Sequence, residues 1–369
     1  MRWLSAPVVL LVTVVAAAQG PAWKEAAPGR PISLPADHVS HPEYKLEWWY
    51  YTGNLDAPGG RRFGYQLTFF RIGVDPAPIN PSRWAVRDLY MTHLAVTDVN
   101  GRRFAFTERM NRAGPGWAGA ATDTYRVWNE DWQATIDPPG VHRLQARQPG
   151  DAGIGVDLRL HEDRPAVLHG DGGYSRKGSS PGNASNYYSL TRMPTTGTIT
   201  IDGRSIDVTG QSWMDHEFGT SFLEPDQIGW DWFSIQLDDG RDLMIFQLRR
   251  ADGSIDPRSS GTLVEPDRGP TAITLDSGFR LEPGRTWLSR ATGGRYPIAW
   301  TVRLPRFDIE LTVTAAVDDQ ELHTERSAGV TYWEGAIDVT GRARGHVVHG
   351  RGYLEMTGYA GKSMGSVMR

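Results

Sequence analysis

Three dipeptides constrain this chain more than any other feature. Asn100-Gly101 separates Leu94-Ala95-Val96-Thr97 from Phe104-Ala105-Phe106, and Asp202-Gly203 separates Thr198-Ile199-Thr200-Ile201 from Ile206-Asp207-Val208. Asp239-Gly240 divides the aromatic run at 232–237 from the apolar run at 243–248. Each pair tolerates positive φ and matches the twist of a two-residue hairpin. The flanks are β-branched and aromatic, and no window carries a long apolar stripe at helical spacing, so the expectation is an all-β, antiparallel fold. A short helix near residues 88–93 is the one helical segment the pattern admits. Residues 170–187, 251–271 and 291–296 are polar, with Gly, Ser or Pro, and read as loops.

A chain of 369 residues is too long for one ordinary core, so two domains are expected. Glu224-Pro225-Asp226 interrupts two aromatic-rich strands and places the boundary near 223–227, giving domains at 37–225 and 226–369. The absence of Cys excludes disulfides and a thiol nucleophile. Net charge is only −4 and the Arg residues are scattered, which leaves no electrostatic footprint for nucleic acid. Arg2, an apolar run at 4–15 and Ala16-Ala17-Ala18 ahead of Gln19 read as a signal peptide over 1–18, and hence as a periplasmic or secreted protein.

The chemistry is expected in three segments. In a strand, Glu47, Trp49 and Tyr51 share one face, and Trp48, Tyr50 and Thr52 the other. In a barrel lumen Glu47 would be desolvated and its pKa raised, fitting it to donate a proton. Alternatively, both faces are buried and Glu47 pairs with an Arg. Gln66, on the strand around 64–71, could orient a ligand. Asp215-His216-Glu217 packs three ionisable groups between apolar residues, and Asp231 lies between Trp230 and Trp232. Carboxylates embedded in such runs are either paired or kept for use. The expectation is therefore that Glu47, Asp215, His216, Glu217 and Asp231 converge on one cavity at the domain junction, lined by Trp49, Tyr51, Gln66 and Trp230. These groups would either act on a substrate or staple the domains together.

Familiar templates fail. Gly178-Ser179-Ser180-Pro181-Gly182 has the letters of a nucleophile elbow but lies in a Gly/Ser loop. His216-Glu217 lacks the second His of a zinc-protease motif, and His38, His41, His93, His161 and His169 stand isolated, so no metal is expected.

Taken together, Glu47-Trp48-Trp49-Tyr50 with Gly53-Asn54-Leu55, Tyr65 through Arg71, Asp215-His216-Glu217-Phe218-Gly219, Gly229-Trp230-Asp231-Trp232-Phe233, Tyr332-Trp333-Glu334-Gly335 and Gly352-Tyr353-Leu354-Glu355 resemble the AttH-type lipocalin-like family. That family includes carotenoid 1,2-hydratases (hydroxyneurosporene synthases) and predicted secreted hydrolases. The resemblance runs from about residue 37 to 359. It implies two tandem lipocalin-like antiparallel β-barrel domains with a ligand cavity near their junction. It also implies acid-catalysed hydration of an alkene without an organic cofactor. The chain departs from the hydratases in two places: His216-Glu217-Phe218 has Phe where they carry Trp, and Leu243-Met244-Ile245-Phe246 stands where a Tyr-x-Asp segment is expected. Two function classes follow: a hydro-lyase or isomerase acting on a hydrophobic small molecule, or a non-catalytic carrier of such a ligand, with a membrane-transport partner.

Overall fold

The three dipeptides form the turns that their residues favour. Asp202 (φ 52°) and Gly203 (φ 68°) join two 18-residue strands, Ala184–Ile201 and Arg204–Ser221. Asn100-Gly101 links Asp88–Asp98 to Arg103–Arg112, and Asp239-Gly240 links Gln227–Leu237 to Asp242–Arg250. The computed structural model describes residues 22–150, 153–180, 182–221 and 223–361. The leader expected over 1–18 lies outside the described residues.

Every described helical segment is a three-residue 3-10 turn, at Ala36–His38, Pro58–Gly60, Leu275–Ser277 and Pro305–Phe307. The helix expected near 88–93 is instead the start of strand Asp88–Asp98, because that segment is hydrogen-bonded on both sides. The expected loops hold short strands, Tyr174–Arg176, Ser260–Glu265 and Arg295–Pro297. Their Gly- and Ser-rich residues take strand geometry from a neighbouring strand rather than from their own propensity.

All paired strands are antiparallel and form two large curled sheets. In the first, Leu46–Ala57 lies between Arg61–Gly73 and Arg204–Ser221, and Ala184–Ile201 follows. The sheet curls until the Asn129 side chain donates to Thr92 Oγ1 at 3.1 Å, joining its far ends. In the second, Gln227–Leu237 lies between Asp242–Arg250 and His346–Ala360, and Thr331–Ala343 comes next. Three apolar clusters result. One fills the first barrel around Trp49, Tyr51 and Trp132, and one fills the second around Phe233, Trp300 and Trp333. The third lies between the barrels and contains Tyr50, Trp213, Trp232, Tyr332 and Tyr353. The central strands are thus covered on both faces. This accounts for runs such as Trp48-Trp49-Tyr50-Tyr51 in which every residue is large and apolar.

Glycine allows the two central strands of the second barrel to approach. A Cβ on Gly352 would lie 1.9 Å from the Ser234 carbonyl oxygen. The Gly352 carbonyl also accepts from Asn54 Nδ2 of the first barrel at 3.0 Å. Gly352→Ala is therefore expected to destabilise the protein by about 1–3 kcal/mol, measured by urea denaturation.

Candidate active site

Strand register decides which side chains meet. Trp48 lies opposite Glu217 on one neighbouring strand and Phe70 on the other, and Tyr50 lies opposite Asp215. In the second sheet Trp232 lies opposite Glu355, which in turn lies opposite Glu334. These residues project into the space between the barrels. There they line a cavity of about 80 Å³ with Trp230, Tyr187, Phe246 and Lys177. Trp48–Glu217 and Trp232–Glu355 are the same cross-strand pair repeated once per barrel, each from the barrel's first long strand and its last.

The four carboxyls differ. Glu217 is paired, with Lys177 Nζ 3.1 Å away and the Ser185 hydroxyl donating to it. Asp215 accepts from the Trp213 indole at 2.8 Å and from the Ser189 hydroxyl, and Ser189 lies 2.6 Å from His169 Nε2. Burial pushes the Asp215 carboxyl up to about 7, against those hydrogen bonds and with help from the charge of Glu217. Burial likewise raises Glu355 to about 7, the Trp230 indole opposing and Glu217 adding. Glu334 rises well above the carboxylate range, through burial first and then the charges of Glu355 and Asp215. The Tyr50 hydroxyl lies close enough to pull its carboxyl partly back. Like acids placed directly opposite one another cannot both ionise cheaply, so Glu334, the more strongly raised of the two, keeps its proton at neutral pH.

The expected site is divided among three places. Asp215, Glu217 and Trp230 line the cavity. Glu47 and His216 do not: strand alternation turns them into the first barrel with Trp49 and Tyr51. There Glu47 is fully buried, yet its carboxyl is held well below the usual range. Burial alone would raise it, but hydrogen bonds with His216 and His41 and the charge of Arg71 at 3.1 Å prevail. It is the Arg-paired acid, not a proton donor. Trp49 stacks on His216, and Tyr51 contacts His142 Nδ1 at 2.8 Å. Asp231 is the counterpart of Glu47 in the second barrel, held by Arg249 at 3.2 Å, Gln247 and Tyr359. Burial raises its carboxyl, against the pull of Arg249. Gln66 faces the junction, but its amide donates to Thr68 and it does not reach the cavity wall.

Sequence reasoning missed Glu334 and Glu355 as site residues. Their signal was present in Tyr332-Trp333-Glu334 and Tyr353-Leu354-Glu355, an acid two positions from an aromatic ring on the same strand face. The histidines that stand apart in sequence also meet in space. His38, His142 and Glu162 form one group inside the first barrel, and His41, Glu47 and His216 another.

Known proteins share this architecture. A protein named AttH from Nitrosomonas europaea superposes with a TM-score of 0.82 at 35% identity, covering 92% of this chain and all of its own. Kievitone hydratase from Nectria haematococca shares the fold, with a TM-score of 0.70 at 14% identity over 92% of this chain and 96% of its own. The dehydratase asqC of Emericella nidulans is 22% identical over 255 residues, a stretch that spans 66% of this chain and 65% of the relative. The AttH-like family model matches residues 25–359, and the chain belongs to the AttH-like family.

Proposed function

We propose that the junction cavity is the active site of a hydro-lyase, adding water to or removing it from a hydrophobic small molecule. The observation that carries the reading is the pair of directly opposite acids, the buried Glu334 and the half-buried Glu355, with raised pKa values in a cavity walled by indoles. A neutral carboxyl in a dry site is a general acid at neutral pH. In hydration, the Glu334 proton passes to one alkene carbon, and the other carbon becomes cationic. The faces of Trp48, Trp230 and Trp232 stabilise that charge. Water adds to the cation, and its surplus proton returns to the ionised carboxylate, which restores the pair. Dehydration runs the same steps backwards, with the proton delivered to the departing hydroxyl. Asp215, relayed through Ser189 to His169, supplies a second exchangeable proton across the cavity. The names of kievitone hydratase and the asqC dehydratase point the same way. The departures at Phe218 and at 243–246 keep the substrate class at hydrophobic alkenes and alcohols rather than carotenoids alone.

The proposal includes export by the 1–18 leader. Protein purified from the periplasm or medium should therefore begin at Gln19, and native mass spectrometry should show a co-purifying apolar ligand. Incubated with that ligand in deuterium oxide, the enzyme should place deuterium on the alkene carbon that takes the proton. A ligand retained without any exchange would instead favour a carrier serving a transport partner.

A further inference from the structure

The first barrel buries a second set of ionisable groups, away from the junction cavity, and their hydrogen bonds run in one direction. Burial keeps the His216 ring neutral, against the pull of Glu47. His216 Nε2 lies 3.0 Å from the ionised Glu47, so that nitrogen carries the proton. His216 Nδ1 is then an acceptor, and the Tyr188 hydroxyl at 3.0 Å donates to it. The one Tyr188 proton faces His216 Nδ1 and, at 3.4 Å, the Asp37 carbonyl, both acceptors, so the Tyr188 oxygen accepts from His38 Nδ1, 2.8 Å away. The network thus assigns the His38 proton to Nδ1 and leaves Nε2 with a bare lone pair. That lone pair points at Glu162 Oε1, 3.5 Å away. Two acceptors face one another, and a cation between them satisfies both.

His142 completes the set. It lies on strand Val141–Arg147, and backbone pairing of Glu162 N with the Gly140 carbonyl brings Glu162 beside it. His142 Nε2 is 2.8 Å from the same Glu162 oxygen and donates to it in the metal-free protein; an ion takes the place of that proton, which moves to Nδ1, where the Tyr51 hydroxyl oxygen 2.8 Å away accepts it. Tetrahedral bonds of about 2.0–2.1 Å separate neighbouring ligand atoms by about 3.3 Å, between the two distances seen here. Each ring is fixed by a tyrosine on its far nitrogen, the arrangement that orients metal-binding imidazoles. The Glu162 side chain is 25% exposed, which gives an ion a way in from solvent.

We infer that His38, His142 and Glu162 bind a divalent first-row transition ion of the zinc class, through two Nε2 atoms and one carboxylate oxygen. Three protein ligands leave a fourth position for water or a small oxyanion. The neighbouring group of His41, Glu47 and His216 does not compete. Arg71 Nε already sits 3.1 Å from Glu47, and the Ser40 hydroxyl and the His41 amide occupy its oxygens. This site stands whether or not the junction cavity is catalytic.

The test uses the full chain, freed of metal by a chelator and titrated with Co²⁺. The expected result is visible d–d absorption that saturates at one equivalent, is displaced by Zn²⁺ and is untouched by Mg²⁺. Tyr188→Phe should weaken binding by about 10- to 100-fold, and Glu162→Gln, isosteric at a half-buried position, should weaken it at least as much. In the wild-type protein Zn²⁺ should move the imidazole ¹⁵N signals of two histidines, a readout that needs no variant. Absence of the band, or equal binding by folded Glu162→Gln, overturns the assignment.

Discussion

Glu334→Gln raises the melting temperature at pH 8 and lowers turnover by about 100- to 10,000-fold, the usual contribution of a general acid. Both effects have one cause. Glu355 and Asp215 have folded pKa values near 7, above their ordinary 4.5 and 3.8, and Glu334 lies higher than the carboxylate range. A folded acid with a raised pKa holds a proton that the unfolded chain has released. Its contribution to stability is complete below about pH 4 and is lost as pH rises through about 7. Wild-type stability should therefore fall between pH 4 and 7 at up to about 1.4 kcal/mol per unit for each such acid. The amide at 334 removes the most strongly shifted acid, so the variant's profile should be flatter and higher at alkaline pH. Turnover of wild type should decline at alkaline pH as Glu334 loses its proton. Thermal melts across pH together with the deuterium-exchange rate decide the matter. If the variant is less stable at pH 8 and keeps wild-type exchange, Glu334 is a structural staple.

Arg71→Met costs on the order of 3–5 kcal/mol, the loss typical when one partner leaves a buried ion pair. Arg71 is fully enclosed, with Glu47 at 3.1 Å, Asp88 at 2.9 Å, and the His41 and Tyr44 carbonyls at 3.0 and 2.7 Å. Removing it strands the Glu47 charge in the barrel with only Ser40 and two histidines as partners. The pH signature is opposite to that of the cavity acids. The Glu47 pKa is depressed, so its stabilisation is present above about pH 4.5 and lost as pH falls through the folded value. Urea denaturation at neutral pH measures the cost, and the double variant with Glu47→Gln should recover part of it because the two side chains share one interaction. A cost below about 1 kcal/mol would show that the pair does not hold the barrel end.

The sequence alone determined whatever depends on neighbours along the chain. Asp202-Gly203 makes its turn because both residues accept positive φ, and period-two alternation separates Glu47, Trp49 and Tyr51 from Trp48 and Tyr50 wherever the strand lies. The motifs that resemble the AttH-type family sit in the central strands, and the all-β expectation holds in both halves. Tertiary structure decided which face serves the cavity. An alternating strand normally signals its inner face by polarity, but here the outer wall of one barrel is the inner wall of the junction, so both faces are large and apolar and the cue is erased. Only register could bring Glu334 opposite Glu355, 21 residues away in sequence, and set Trp48 against Glu217, 169 away. The same holds for His38, His142 and Glu162. They are far apart in sequence, and curling of the first sheet brings their ligand atoms within 4.8 Å of one another.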